Sequence, residues 1–223
     1  MPRTVISINT AVPQTVQYQG KDIQTSIYKS PVSHPVMLRR TNLSGDAQAD
    51  LLNHGGPDKA VCLYPYEHYA YWERLWGKPL PYGAFGENWT ALGMLEEHVH
   101  IGDVFRIGGA LVQVSLPRQP CFKLGLRHGR PELPELVRST GRTGYYFRVL
   151  EEGEIAPGAP LIEVQRDRNA ITVADVNRIK YSDKSNAEAL KTMIALEPLA
   201  EAWKQSFRKR LAELEHAGPE SRG

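Results

Sequence analysis

Only two cysteines occur in 223 residues, and no segment approaches the roughly 18 consecutive apolar residues that a membrane span requires. So few cysteines exclude a disulfide framework, and stability must come from a buried core, which a chain of this length with 41% hydrophobic residues can build. The lack of a long apolar run excludes a membrane-spanning helix. The opening stretch MPRTVISINTAV turns polar too soon for a signal peptide, so a cytoplasmic protein is expected. A surplus of either charge is also missing. With 27 Lys and Arg against 25 Asp and Glu, the formal net charge is +2, which calls for neither nucleic acid nor an anionic membrane; any anion site must be local. There is no Walker spacing and no dinucleotide fingerprint.

What is present is a run of short β-rich segments from about residue 4 to 165: TVISIN, TSIYK, PVMLRRT, AVCLY, VHIGDVFRIG, ALVQVSL, GYYFRVL and PLIEVQ. Val, Ile, Leu, Tyr and Phe fill them, and Gly, Pro, Asn or Asp separate them, a pattern of barrels and sandwiches. PYEHYAYWERLWG, residues 65–77, predicts a helix with Pro65 at its first turn, Gly77 at its end, and Tyr66, Tyr69, Ala70, Glu73 and Trp76 as its packing stripe. PELPELVRST predicts a shorter one. From residue 168 the texture changes to three helices. Thr172 opens the first with Asp175 three residues on, a variant of the capping box. Leu199, Trp203, Phe207, Leu211 and Leu214 give the last a packing stripe. Its basic residues Lys204, Arg208, Lys209 and Arg210 alternate with Glu201, Glu213 and Glu215, which reads as a solvated face and not as a nucleic-acid surface. The expected division is 1–167 for the strand-rich part, 168–217 for the helices and 218–223 for a flexible tail.

Three clusters carry chemistry. In LPRQPCFKL, residues 116–124, Pro117 and Pro120 stop the preceding strand and restrict the loop that holds Cys121, while Arg118 and Lys123 favour its thiolate. Such a cysteine suits a soft-metal ligand, a nucleophile, or a packed side chain. In NHGGPDKA, residues 53–60, Gly55 and Gly56 permit close backbone approach and Lys59 adds charge; the stretch reads as an anion cradle or a tight turn. His54 and Asp58 lack the third convergent partner that a zinc site needs. In GAFGENWTALG, residues 83–93, Glu87 and Asn88 offer polar contacts on a glycine-bounded loop, or a plain turn. Cys62, within KAVCLYP, reads as a small buried hydrophobe.

Taken in order, HGGPDKAVCLYP, FGENWTALGMLEEHVHIGDVFRIG and VSLPRQPCFKL, followed by a three-helix tail, resemble the MOSC domain, named for the C-terminal part of molybdenum-cofactor sulfurases, in its bacterial YiiM branch. The resemblance covers nearly the whole chain. It implies a mainly β fold, a MOSC-type β-barrel with a few helices, followed by a small C-terminal three-helix domain. It further implies the molybdenum cofactor (molybdopterin), with Cys121 as molybdenum ligand and a catalytic group. Lys59, Arg118 and Lys123 are implied for its anionic groups, and Gly55, Gly56, Asn88 and Glu87 for its pterin or phosphate. Lys29 and Arg39 are placed near it by analogy, and His54 is a candidate proton donor. The implied activity is reduction of small-molecule N-hydroxylated bases of the 6-hydroxylaminopurine type, a detoxification. Electrons would come from a separate flavoprotein reductase; a homodimer is compatible, and neither nucleic acid nor membrane is expected as a partner. Two alternatives keep the same pocket: a sulfur carrier with a persulfide on Cys121, and a cofactor carrier without turnover.

Overall fold

The computed structural model describes residues 2–51 and 55–216. Its frame is a curled eight-stranded sheet with the order β12-β8-β9-β10-β6-β7-β1-β4. In chain order these strands are β1 (Thr4–Thr10), β4 (Ser30–Val32), β6 (Val61–Pro65), β7 (Trp89–Leu92), β8 (Val104–Ile107), β9 (Ala110–Pro117), β10 (Tyr145–Glu151) and β12 (Ile162–Gln165). Two small sheets flank it: the hairpin β2 (Gln14–Tyr18) with β3 (Lys21–Thr25), and β5 (Val36–Leu38) with β11 (Gly153–Ile155). The sheet curls back on itself. β4 covers only the Ile8–Thr10 end of β1, which leaves Arg3 and Val5 free to bond the segment leading into β12. Val5 N–H donates to Ala159 O (3.0 Å), Gly158 N–H to Val5 O (2.7 Å) and Leu161 N–H to Arg3 O (2.9 Å). Those bonds satisfy backbone groups that an open edge would expose.

Period-two burial explains the strands. Along β10, Tyr145, Phe147 and Val149 are buried in the core while Tyr146 and Arg148 face the other side. β6 is buried throughout, as its central place between β10 and β7 demands. It runs parallel to β7, and the crossover between them contains a 3₁₀ turn (Tyr66–His68) and helix α1 (Tyr69–Trp76). Pro65 therefore ends a strand and does not start the helix. The helix also buries Tyr69 and Trp72, with Ala70 exposed, so its buried face is displaced from the expected stripe. Trp72 Nε1–H donates to Tyr64 Oη (2.6 Å), tying α1 to β6.

Several expectations need correction. TSIYK is not a strand: β3 ends at Thr25, and residues 26–29 alternate in burial without a ladder partner. Instead the Arg127 guanidinium donates to the Ile27 and Gly83 carbonyls. Only Val36–Leu38 of PVMLRRT pairs. The hairpin β2–β3 went unseen because its glutamine-rich strands lack an apolar face; Gln19 (φ 49°) and Gly20 (φ 74°) make its turn. β7 lies where a loop was expected.

Helices α2 (Phe122–His128) and α3 (Leu133–Ser139) follow β9 and pack with α1 around Tyr64 and Phe85. The last unit holds α4 (Val173–Tyr181), α5 (Ala187–Ala195) and α6 (Glu201–His216). Thr172 and Asp175 form the expected reciprocal cap, Asp175 N–H donating to Thr172 Oγ1 (3.0 Å). Apolar residues of all three helices join the same core as the sheet. The basic residues of α6 are held locally: Arg208 pairs with Glu201, Lys204 donates to Glu197 O (2.9 Å) and Arg210 to Lys180 O (3.0 Å). Among the described residues, no helix is long and apolar enough to cross a membrane.

Candidate functional site

A row of side chains crosses the sheet at one level. Tyr146 of β10 lies opposite Cys62 of β6 on one side and Leu116 of β9 on the other, so the three share a face. Two residues beyond Leu116, Arg118 emerges from the end of β9, its N–H bonded to Gly144 O (2.9 Å). Cys121 then occupies the cap position of α2, in extended conformation, with its carbonyl accepting from Leu124 N–H (3.0 Å). The loop around Cys121 is thus only four residues long, and Pro120 within it and Pro117 at the end of β9 hold the cysteine between a strand and a helix.

The register of β9 depends on Ser115. Pairing with β10 shifts between Leu116–Tyr146 and Val114–Phe147, which leaves Ser115 as the extra residue of a bulge. Its hydroxyl reaches Asp58 O (2.6 Å) and Tyr146 O (3.0 Å), and its carbonyl accepts from Ala200 N–H (3.0 Å). One serine joins the turn that carries Lys59, the strand that carries Tyr146 and the start of α6.

Two cavities adjoin this row. The narrower, about 90 Å³, is lined by Lys29, Asp46, Asp50, Lys59, Cys62, Asn88, Arg118, Cys121, Lys123 and Tyr146 among others. The wider, about 420 Å³, shares Asp50, Lys59, Gln119, Cys121, Lys123 and Tyr146 with it. Cys121 stands where the two meet.

Charge in the narrower cavity is unevenly compensated. The Lys29 ammonium pairs with Asp46, which also accepts from Ala11 N–H (2.8 Å) and from the Asn88 amide (2.9 Å). The Asn88 amide oxygen accepts from Cys62 N–H (3.1 Å), and its NH₂ also reaches Asn9 O (3.3 Å). Lys29 and Asn88 therefore line the cavity while already tied to protein partners. Arg118 differs. It is only 7% exposed, and its guanidinium makes no hydrogen bond or ion pair among the described residues. Burial works against its charge, but the facing Cys62, Tyr146 and Cys121 more than offset this and hold it above the ordinary arginine range. Burial pushes the Lys59 ammonium below the usual lysine range, against Asp50 and Asp58. Burial also pushes the Cys62 thiol up, with Arg118 opposing, and raises the Tyr146 phenol, which keeps its proton. The result is a buried cation beside a thiol, with no anion bonded to it among the described residues, although the Glu87 carboxylate acts on it through space.

Residues 50–162 match the family model of the MOSC domain, and residues 171–214 match that of the YiiM-like, 3-alpha helix domain. The chain belongs to the MOSC family, in its YiiM branch. The YflK protein of Bacillus subtilis (strain 168) is 52% identical over 207 residues, 93% of this chain and 94% of that one. The crystal structure of YiiM from Geobacillus stearothermophilus superposes with a TM-score of 0.81 at 44% identity, covering 94% of this chain and 100% of that one. A protein of Gibberella moniliformis (strain M3125 / FGSC 7600) named Reductase is 37% identical over 165 residues, 72% of this chain but 29% of its own length.

Within this MOSC fold the sequence-derived candidates separate. Cys121, Arg118, Lys59, Lys123, Lys29 and Asn88 share the cavity wall. Glu87 does not line it: its buried carboxylate accepts from Tyr69 Oη (2.5 Å), Gly83 N–H (3.0 Å), Phe85 N–H (2.9 Å) and Thr90 Oγ1 (2.7 Å). Glu87 is fully buried and all four of its hydrogen bonds go to protein groups, so the structure gives it an organising role in place of a contact role. Arg39 is exposed at the end of β5 and is absent from the wall. Gly55 and Gly56 also stand off it. A Cβ on Gly55 would meet Leu51 O at 2.7 Å, and Gly56 (φ 95°) turns the chain into the 3₁₀ turn Pro57–Lys59 that presents Lys59. His54 lies outside the described residues. Sequence reading missed Tyr146, whose signal is a large polar aromatic on the outward beat of an otherwise apolar strand. It also missed Cys62 as a wall residue, and Trp203.

Proposed function

We propose that the cavity binds the molybdenum cofactor through Cys121 and that the protein reduces N-hydroxylated bases of the 6-hydroxylaminopurine type. The observation that carries this reading is Arg118: a buried guanidinium with no acceptor among the described residues, in one wall with a thiol, calls for an anion to complete it. The donor set fits such a group. Among the described residues, no three His, Cys, Asp or Glu side chains gather as a metal site, and a cofactor that brings ligands of its own, as a dithiolene does, suits a single cysteine there.

In this reading Cys121 Sγ is the protein's ligand to the metal, Arg118 pairs with an anionic group of the cofactor, and Lys59 and Lys123 add positive charge around it. Lys29, Asp46 and Asn88 form a fixed wall that orients without being consumed. Tyr146 holds a proton on its phenol within the same cavity and donates a hydrogen bond there. When bound, the cofactor supplies two-electron oxygen-atom chemistry: R–NHOH, two electrons and two protons give R–NH₂ and water. The electrons come from a separate flavoprotein reductase. A relative named Reductase in which this region is 29% of the length is consistent with delivery from another module.

The test is molybdenum and pterin content of wild type and Cys121→Ser, purified from cells that make the cofactor, followed by 6-hydroxylaminopurine reduction with an artificial electron donor. Wild type should carry both and turn over. Cys121→Ser should keep its fold and lose metal or at least a hundredfold in rate. Equal metal and equal rate in the two proteins would remove Cys121 from the chemistry, and sulfane sulfur on Cys121 in place of metal would move the reading to sulfur transfer.

A further inference from the structure

The two cavities differ in what each does not share. The residues that line the wider cavity and not the narrower are Leu116, Pro120, Phe122 and Trp203, every one apolar. Every charged or amide group outside the shared wall lies on the narrower one, Lys29, Asp46, Asn88 and Arg118 among them, beside apolar residues such as Ile27 and Ala47. An anionic cofactor and a flat, weakly polar base would divide along that line. We infer that the wider cavity is the substrate side and that Trp203, supplied by the three-helix unit, is the specificity-determining wall that selects aromatic N-hydroxylated substrates over acyclic ones. This rests on the reductase reading for its substrate class.

Trp203 is built to hold one position. It lies in the first turn of α6, three residues after Ala200, whose N–H is anchored on Ser115 O (3.0 Å), and its own N–H returns to Ala200 O (3.0 Å). Phe207 meets the indole edge-to-face with centroids 5.9 Å apart, and Lys180 Nζ lies 5.3 Å from the indole centroid. Its indole N–H bonds nothing among the described residues and is not one of the fully enclosed orphan groups. It is therefore accessible as a donor to a ring nitrogen or carbonyl. The indole is only 5% exposed and is packed by Phe207 and Lys180, so it meets a planar heterocycle with the part of its surface that lines the wider cavity and with its vacant donor. The Ser115 bulge sets this wall in register with Tyr146 and the Lys59 turn, which ties the helical unit to the site and not only to the core.

The experiment compares holoenzyme of wild type, Trp203→Leu and Trp203→Phe on 6-hydroxylaminopurine and on acetohydroxamic acid, with equilibrium dialysis of adenine as a binding readout. Melting by circular dichroism checks each fold. In Trp203→Leu the ratio of kcat/KM for the purine to that for the hydroxamate should fall ~10-fold or more, mostly through KM, and adenine binding should weaken alike, with Trp203→Phe recovering part of both. An unchanged ratio together with unchanged adenine binding overturns the wall. Should Trp203→Leu fail to fold, adenine quenching of tryptophan emission decides. Quenching lost in Trp203→Phe supports the assignment; equal quenching overturns it. If wild type reduces neither substrate yet adenine binding still depends on Trp203, the wall stands and the reductase reading falls. If both substrates are reduced and Trp203 discriminates nothing, the reverse holds.

Discussion

Glu87 and Arg118 are both buried charges close to one cavity, and the protein treats them in opposite ways. The Glu87 carboxylate is fully enclosed and receives four hydrogen bonds from its own loop, from α1 and from β7. The Arg118 guanidinium, 7% exposed, donates none among the described residues. A buried charge stabilises a fold only when its hydrogen-bonding capacity is met inside it. Residues 83–90 are therefore architecture that happens to be ionic. Residues 116–123 carry unmet hydrogen-bonding capacity at Arg118, which the proposed function assigns to a ligand.

Removing each charge tests this contrast, and the larger effect belongs to Glu87. Glu87→Ala leaves two backbone N–H groups and the Thr90 hydroxyl buried without an acceptor and the Tyr69 hydroxyl with only the long contact to Pro81 O (3.5 Å), so a stability loss of ~3–5 kcal/mol is expected in urea denaturation. A loss under 1 kcal/mol would break the comparison, because the loop would then be held by something other than the carboxylate. Arg118→Met should behave inversely. Its stability in the same assay should stay within ~1 kcal/mol of wild type or rise, since the variant removes an uncompensated buried charge. Its cofactor affinity should drop by ~2 kcal/mol, roughly thirtyfold, from loss of a charge-assisted contact. Molybdenum retained per chain after dialysis reads the second effect. A variant that loses stability but keeps the metal would make Arg118 architecture as well.

The same contrast explains what could be read in the sequence. Pro117 and Pro120 announce a strand end, and a cysteine fixed beside Arg118 is visible without coordinates. The partner of Asn88 is not: Asp46 lies 42 positions away and Cys62 26, so a polar residue spoken for by the fold looks identical to one waiting for a ligand. Helix α2 was hidden because CFKLGLRHG carries Gly125 inside it. That glycine is there for contact, as a Cβ would stand 2.7 Å from Arg130 O. Trp203 was legible as part of a helical stripe, but periodicity reports a buried face without saying whether it covers a core or a cavity. The β-rich frame and the helical appendage were legible because alternation and capping are local. The walls of the site are assembled by register, through the Ser115 bulge and the β6-β10-β9 row, and register is not local.

The smallest effect expected concerns the two thiols, which share a cavity but not an environment. Cys62 is 4% exposed and burial raises its thiol above the ordinary value, whereas Cys121 is only partly buried at the head of α2. With the folded pKa raised, the native state binds the Cys62 proton more tightly than the unfolded chain does. That contribution to stability is complete below the unfolded thiol's pKa of about 8.5 and is lost as pH rises through the folded value, at a slope of no more than ~1.4 kcal/mol per pH unit. Cys62→Ala removes the term and costs ~1 kcal/mol at pH 7 through lost packing. Urea denaturation of the two proteins at pH 7, 8.5 and 9, below the ordinary tyrosine range, should therefore give curves that converge as pH rises. Parallel curves would mean that the Cys62 thiol ionises in the folded protein as it does in water. The narrow cavity would then be wet at its floor, and the Arg118 charge would be screened by solvent instead of being held for an anion.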